Sequence, residues 1–122
     1  MSIRRVVPNI ESPKLSESRD FYVDALGFDV AMNVGWIITF TSPSNVTAQV
    51  QVLASDASAR VVPSLSIEMD DVDAVHAAVV ERGYAIEYPL TDEAWGVRRF
   101  FARDPNGLVL NIASHRVETA ES

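Results

Sequence analysis

Residues 15–30 read LSESRDFYVDALGFDV, a helix-like segment that ends on a glycine and passes into apolar, strand-like sequence. Residues 72–88 read VDAVHAAVVERGYAIEY and follow the same order. When the two segments are superposed, Gly27 matches Gly83 and Phe28 matches Tyr84. A helix that turns sharply into a strand favours glycine, which adopts a positive φ at little cost. The repeat therefore indicates a duplicated half-domain.

Each copy reads as strand, helix, strand, strand, strand. The predicted helices are 15–25 and 72–81, and the predicted strands are 6–10, 28–32, 36–41, 47–53, 64–69, 84–88, 97–103 and 108–113. We expect an α+β fold of two tandem β-α-β-β-β half-domains, residues 1–54 and 61–115, within one domain of residues 1–122. Because one helix covers only one face of its sheet, the two bare faces are expected to form a cleft in a mixed sheet.

Composition narrows the class of protein. The 122 residues carry 17 acidic and 10 basic side chains, a net charge of −7 that disfavours nucleic acid and favours cationic partners. The absence of cysteine excludes disulfides, thiol nucleophiles and thiolate metal sites. No apolar stretch has the length of a secretory leader or a membrane span. We expect a soluble, cytoplasmic protein without a membrane partner.

Several short motifs carry a family resemblance. They are Val7-Pro8-Asn9, Leu15 with Ser18, residues 21–28 (FYVDALGF), Trp95-Gly96-Val97-Arg98 and Asp104-Pro105-Asn106-Gly107. With the internal repeat, they make the sequence similar to the vicinal oxygen chelate superfamily, which includes glyoxalases, bleomycin-resistance proteins and extradiol dioxygenases. The resemblance implies a homodimer, with ligand pockets built partly from both subunits.

The resemblance also implies where a divalent metal would be bound. The ligand positions fall at Val7, near Val62 and at Asn111, and strand four offers Gln49 and Gln51. Apolar side chains and neutral amides are poor ligands for the metals that such sites hold. We therefore predict no metal, no other cofactor and no metal-based catalytic residues.

The two histidines of the sequence support this expectation. His76 lies at the margin of the apolar face of the second helix and is predicted to be a partly buried structural residue. His115 follows the last strand and is predicted to lie at the surface. Neither belongs to a Glu-x-x-His or His-x-x-x-His pattern.

Strand alternation predicts which side chains face the cleft. The helix-covered core is expected to include Val6, Pro8, Ile10, Leu108 and Leu110, together with Phe21 and Leu26 of the first helix. The predicted ligand-binding residues are Asn9, Gln49, Gln51, Ser64, Ser66 and Asn111, with Trp36, Phe40 and Trp95 as aromatic walls and Arg98 as the holder of an anionic group. The sequence leaves open which of Phe100 and Phe101 faces the cleft.

These residues favour a metal-independent binding protein of the bleomycin-resistance kind, which would sequester a small aromatic or cationic molecule. The alternative is an enzyme of the glyoxalase or dioxygenase kind with a non-standard site. A third possibility is a metal-free isomerase or lyase that uses Glu68 as a base. The metal-independent binding protein is the predicted function, and the two enzymes are its alternatives.

Overall fold

The computed structural model describes residues 2–56 and 58–115, so positions 116–122 of the predicted domain lie outside the described residues. The strands are β1 (Ile3–Glu11), β2 (Asp29–Asn33), β3 (Ile37–Thr41), β4 (Gln49–Leu53), β5 (Leu65–Met69), β6 (Ile86–Asp92), β7 (Val97–Arg103) and β8 (Val109–His115). The helices are α1 (Leu15–Arg19), which continues as a π-helical segment (Asp20–Ala25), and α2 (Val72–Glu81). Strand β6 continues to Asp92, beyond the predicted strand end at residue 88. Within the described residues, neither helix is long and apolar enough to cross a membrane.

All eight strands form one mixed sheet in the order β2-β3-β4-β1-β5-β8-β7-β6. Strands β1 and β4 are parallel, as are β5 and β8, so each half repeats the same arrangement. The halves join where β1 runs antiparallel to β5, with Val7 opposite Ser66. The predicted α+β fold with a β-α-β-β-β order in each half is confirmed.

The repeated glycines end the helical segments as expected. Gly27 has a φ of 90° and Gly83 a φ of 79°, and a Cβ at either position would meet no heavy atom within 4 Å. Backbone conformation, and not crowding, therefore requires glycine at both turns. The residues that follow, Phe28 and Tyr84, each donate a backbone hydrogen bond back into the helical segment.

Each helical segment covers a separate cluster of apolar side chains. The first cluster contains Ile38, Phe40 and Val52, packed against Leu15, Tyr22, Val23 and Phe28. The second contains Met69, Val72, Phe100, Ala102 and Ile112, packed against Val75 and Val79 of α2 among others. Each half thus has its own core on the helix-covered face of the sheet.

The prediction that Val6, Pro8 and Ile10 lie under a helix is wrong. Val6 is 47% exposed and Ile10 40% exposed, and Pro8 is exposed as well. Helix α1 packs against β3 and β4, while α2 packs against β7 and β8. The outer face of the central strand β1 therefore lies between the two helices. Leu108, which is 44% exposed and precedes β8, was also wrongly placed in the core, whereas Leu110 is half-buried.

The core assignment of Phe21 and Leu26 is also wrong, since they are 53% and 55% exposed. The backbone N–H of Leu26 bonds to the carbonyl of Phe21, five residues earlier. This wider π-helical turn changes the angular spacing that an α-helical pattern assumes. Tyr22 and Val23 consequently pack inward while Phe21 turns toward solvent.

We expect Phe40→Ala to lower the free energy of unfolding by about 3–5 kcal/mol, because it leaves a cavity where a fully buried ring was. Phe21→Ala should cost much less, because that ring is half exposed. Urea denaturation of both variants measures the difference. Equal losses would contradict the placement of Phe21.

Candidate ligand-binding cleft

The sheet face opposite the helices lines a cleft of about 620 Å³. This volume lies within the range of pockets that hold small molecules. Its residues come from both halves, so the β1–β5 junction runs along its floor. Of the predicted ligand-binding residues, the structure places Asn9, Trp36, Gln49, Gln51, Ser66, Trp95 and Asn111 at this cleft.

Phe40 and Ser64 do not line the cleft. Phe40 is fully buried on the helix side, where its ring stacks on Tyr22 at 5.0 Å between centroids. The neighbouring Thr39 faces the cleft and accepts a hydrogen bond from Gln51 at 2.9 Å, and this fixes the opposite direction for Phe40. Ser64 precedes β5 and is exposed, with its backbone bonded to Asn9 and Val109.

The structure places Arg99, and not Arg98, in the cleft. Arg98 points outward and contacts Asp73 at 2.8 Å and Asp92 at 3.2 Å. Phe100 belongs to the core under α2, which turns Arg99 and Phe101 to the opposite face. Residues 98–101 are two arginines followed by two phenylalanines, so either strand alternation puts one arginine and one phenylalanine on each face. The sequence pattern therefore could not predict which arginine faces the cleft.

Arg99 is the centre of a buried charge network. Its guanidinium lies 2.6 Å from Glu93 and 2.7 Å from Asp56, and all three side chains are 5–6% exposed. Ser58 adds a contact to Arg99 at 3.0 Å. Asp56 and Ser58 belong to the connection between the halves, so the network holds this connection against β7. Sequence reasoning missed the network, because Asp56 reads as an ordinary linker residue.

Three aromatic rings surround the same guanidinium. Its central carbon lies 4.8 Å from the ring centroid of Phe101, 5.2 Å from that of Tyr88 and 5.3 Å from that of Trp95. Cations are attracted to ring faces at such distances, most strongly where water is excluded. Trp95 lines the cleft and is 48% exposed. Its indole therefore offers an accessible surface to the cleft while it contacts Arg99.

Asp56 is held in its ionised form. Burial alone raises the pKa of this carboxyl, but hydrogen bonds from Arg99 and from the backbone N–H groups of Ser58 and Ala59 outweigh burial. The pKa of Asp56 is therefore below its ordinary value of 3.8. Burial lowers the pKa of Arg99, but the hydrogen bonds and charges of Asp56 and Glu93 together outweigh burial and raise this pKa above its ordinary value.

A second polar cluster lies in the cleft where the start of β1 meets the end of β5. Arg5 donates to Glu68 at 2.6 Å and to the side-chain oxygen of Gln49 at 2.6 Å. The Nδ1 atom of His115 lies 3.2 Å from Glu68. His115 is exposed, as predicted, and its half-exposed side chain also lines the cleft beside the Glu68 carboxylate.

A third cluster consists of neutral groups on the cleft floor. Asn9 and Asn111 each donate from Nδ2 to the hydroxyl oxygen of Ser66, at 2.8 Å and 3.0 Å. The carbonyl oxygens of both asparagines are buried and have no hydrogen-bond partner within the part of the chain that the structure describes. Val7 lies beside this cluster and is buried.

The family's metal positions do not fit a metal in this chain. Val7 is apolar and Asn111 is an amide. Val62 is also apolar and lies before the start of β5, and the β5 residue that pairs with Val7 is Ser66. Across residues 2–56 and 58–115, no three His, Cys, Asp or Glu side chains converge as a metal site requires. His76 lies outside the cleft, with its ring edge-on to Phe100 at 4.8 Å, and has the predicted structural position.

Two β-α-β-β-β units joined into one sheet around a cleft define the class of protein. The model of the Glyoxalase/Bleomycin resistance protein/Dioxygenase superfamily matches residues 9–112, and the chain belongs to this family. This confirms the resemblance found in the sequence. No curated protein sequence matches the chain significantly.

Solved structures show the same fold. A superfamily member from Vibrio splendidus 12B01 has a TM-score of 0.70 at 18% identity, over 93% of this chain and 99% of that one. Homoprotocatechuate 2,3-dioxygenase from Arthrobacter globiformis has a TM-score of 0.65 at 22% identity, over 95% and 37% of the two chains. A Mn(II)-bound glyoxalase from Novosphingobium aromaticivorans has a TM-score of 0.63 at 19% identity, over 97% and 42%. At these identities the similarity establishes the fold alone.

We expect Asp56→Asn to be less stable than the parent at pH 7, because it removes one of the two charges that face Arg99. A carboxyl whose pKa is lowered by folding stabilises the protein at pH values above its unfolded-state pKa of 3.8. This stabilisation is lost as the pH falls through the folded-state pKa. The stability gap between parent and variant should therefore narrow below about pH 4.

Urea denaturation at pH 7 and pH 3 measures this gap. Asp24→Asn, at an exposed position in the π-helical segment, is the matched control and should change stability little at either pH. A gap that is the same at both pH values would contradict the role given to the Asp56 charge.

Proposed function

We propose that the protein binds a small aromatic or cationic molecule in the cleft without a metal ion, in the manner of a sequestering, bleomycin-resistance-like protein. The observation that carries this proposal is the chemistry of the cleft floor. Where the family resemblance places carboxylate or imidazole ligands, this chain has Val7, Val62 and Asn111, and the neighbouring cleft floor adds the hydroxyl of Ser66. Amides and hydroxyls are suited to hydrogen bonding with an organic ligand.

The positions of the two tryptophans support an aromatic ligand. Trp36 precedes β3 and follows Gly35, while Trp95 precedes β7 and is followed by Gly96. Both glycines have a positive φ, 93° and 86°. Since β3 and β7 lie on opposite sides of the β1–β5 centre, the indoles belong to opposite flanks of the cleft. A flat ligand between such walls gains both apolar burial and ring contacts.

The charges of the cleft support a neutral or cationic ligand over an anionic one. Among the described lining residues, Arg5 already contacts Glu68, and Arg99 contacts Asp56 and Glu93. Both arginines are therefore neutralised by carboxylates. The net charge of −7 would also attract cations at long range.

Catalysis without a metal is a second candidate function. The observation that favours it is the placement of Glu68 in the cleft, between Arg5 and the Nδ1 atom of His115. A carboxylate and an imidazole in contact can move a proton to or from a bound molecule. The second candidate function is therefore a metal-free isomerase or lyase.

The proposed homodimer stays a prediction of the family resemblance. The cleft described above is lined by residues of one chain. Cytoplasmic localisation likewise stays a prediction.

We expect the purified protein to contain no stoichiometric divalent metal. Elemental analysis after mild purification measures this directly. About one zinc, iron, nickel or manganese ion per chain would contradict the metal-independent function and favour the glyoxalase- or dioxygenase-like alternative.

We expect ligand binding to change tryptophan fluorescence, and replacement of Trp36 or Trp95 by Ala to weaken binding. A stacking contact contributes about 0.5–1.5 kcal/mol beyond area burial, which corresponds to roughly 2- to 13-fold in the dissociation constant. Tyr84→Ala is the matched control, since this ring is 47% exposed and lies outside the cleft. Tryptophan variants that bind as tightly as the parent would show that the walls are used differently.

A further inference from the structure

We propose that the Oε1 atom of Glu68 anchors the ligand, and that the ligand is an aromatic molecule with a primary ammonium group on a short chain. This inference rests on the proposed binding function and specifies the charged group of its ligand. Glu68 lies on β5 and lines the cleft, and its side chain is 19% exposed. A molecule in the cleft can therefore reach this carboxylate.

The contacts of Glu68 within the described chain all use its other oxygen. The Nε atom of Arg5 donates to Oε2 at 2.6 Å, and the Nδ1 atom of His115 lies 3.2 Å from the same oxygen. Oε1 has no hydrogen-bond partner among the described residues, and the buried side-chain atoms that lack a partner there belong to Asn9 and Asn111. Oε1 is therefore accessible to solvent, and an ionised carboxylate oxygen accepts hydrogen bonds.

The second carboxylate of the cleft is closed to a ligand. Among the described lining residues, only Asp56 and Glu68 carry a carboxylate. Both oxygens of Asp56 accept from Arg99, at 2.7 Å and 2.9 Å, and the Asp56 side chain is 5% exposed. A cationic group that enters the cleft is consequently directed to Glu68.

The neighbouring arginine leaves room for a second cation on the carboxylate. Arg5 contacts Glu68 at Oε2 and donates from Nη1 to the side-chain oxygen of Gln49 at 2.6 Å. An ammonium at Oε1 would form a charge-assisted hydrogen bond of its own, which is about twice as strong as a bond between neutral groups. An anionic group at the same place would oppose the charge of the carboxylate.

The register of the sheet places an aromatic wall within reach of Glu68. Glu68 pairs with Ala113 of β8, which in turn pairs with Arg99 of β7. The indole of Trp95 lies 5.3 Å from the central guanidinium carbon of Arg99. Two strand spacings, about 10 Å along the sheet, separate Glu68 from Arg99. An aromatic ring on Trp95 with an ammonium group two carbons away fits this separation, and the alanine between the two strands adds no long side chain to it.

Three probes with the same ring and different end groups test the inference. At pH 7, 2-phenylethylamine carries a positive charge, 2-phenylethanol is neutral and phenylacetate carries a negative charge. Titration calorimetry and tryptophan fluorescence measure their binding to the intact chain. We expect the amine to bind at least about 10-fold more tightly than the alcohol, because it replaces a neutral hydrogen bond by a charged one, and phenylacetate to bind most weakly.

A pair of matched variants locates the interaction. Glu68→Gln keeps the shape of the side chain and removes its charge, so the amine should lose its advantage over the alcohol. Phenylacetate should gain relative to the amine, because Arg5 no longer faces a carboxylate, and a purely structural residue would not produce this reversal. Glu87→Gln is the control, since Glu87 accepts from the Nε atom of Arg103 at 2.7 Å in the same way but lies outside the cleft. It should bind all three probes like the parent.

The outcomes separate this inference from the function on which it depends. If the parent chain binds the alcohol or phenylacetate as tightly as the amine, with a tryptophan response, the Glu68 anchor is overturned while the binding function stands. This comparison depends on neither variant. An equal loss of all three probes in Glu68→Gln, or an unchanged preference for the amine, would also overturn the anchor. No binding of any probe at millimolar concentration, with silent tryptophans, would overturn both proposals.

Discussion

Backbone pairing between β1 and β5 is the constraint on which the rest of the molecule depends. Each half has one sheet and one helical segment, and the antiparallel β1–β5 ladder joins the two sheets into one. Without it, each half would expose a strand edge and a bare sheet face. The same ladder places Val7 opposite Ser66 and brings Asn9 within 2.8 Å of the Ser66 hydroxyl. The junction between the halves is therefore also the floor of the cleft.

The Arg99 network holds one flank of the cleft through buried charges as well as through ring contacts. A guanidinium and two carboxylates that are nearly excluded from water cost much desolvation energy, and they are tolerated because each charge meets several partners. Here the partners include Asp56 and Ser58 from the connection between the halves. The network thus turns a connecting segment into part of the cleft, and the rings of Tyr88, Trp95 and Phe101 shield it.

Family membership and site chemistry give different kinds of information about this protein. The fold is shared with a dioxygenase and a Mn(II)-bound glyoxalase, yet the positions at which the resemblance places metal ligands carry two apolar side chains and an amide. A fold that supports several chemistries does not select one of them. The argument for an organic ligand therefore depends on particular side chains, chiefly Asn9, Ser66 and Asn111.

The sequence by itself determined the repeated half-domain, the family and most strand positions, because these follow from local signals. Glycine at Gly27 and Gly83, strand alternation and the motif around residues 21–28 depend on near neighbours in the chain. Alternation also placed Asn9, Gln51, Ser66 and Asn111 on the cleft face, since each lies within a strand whose parity is set by flanking apolar residues. The local pattern and the tertiary environment agree in β4 and β5, whereas in β1 the cleft face was predicted correctly although Val6 and Ile10 on the other face are exposed.

Only the tertiary structure decided what depends on distant segments. It placed Arg99 in the cleft and Arg98 outside it, because Phe100 packs under α2. It left Val6 and Ile10 exposed, because the two helices cover the outer strands and not the centre of the sheet. It brought Asp56 to Arg99 across 43 positions of sequence and His115 to Glu68. Such contacts arise from the packing of whole elements, and the sequence around any one of these residues carries no signal for them.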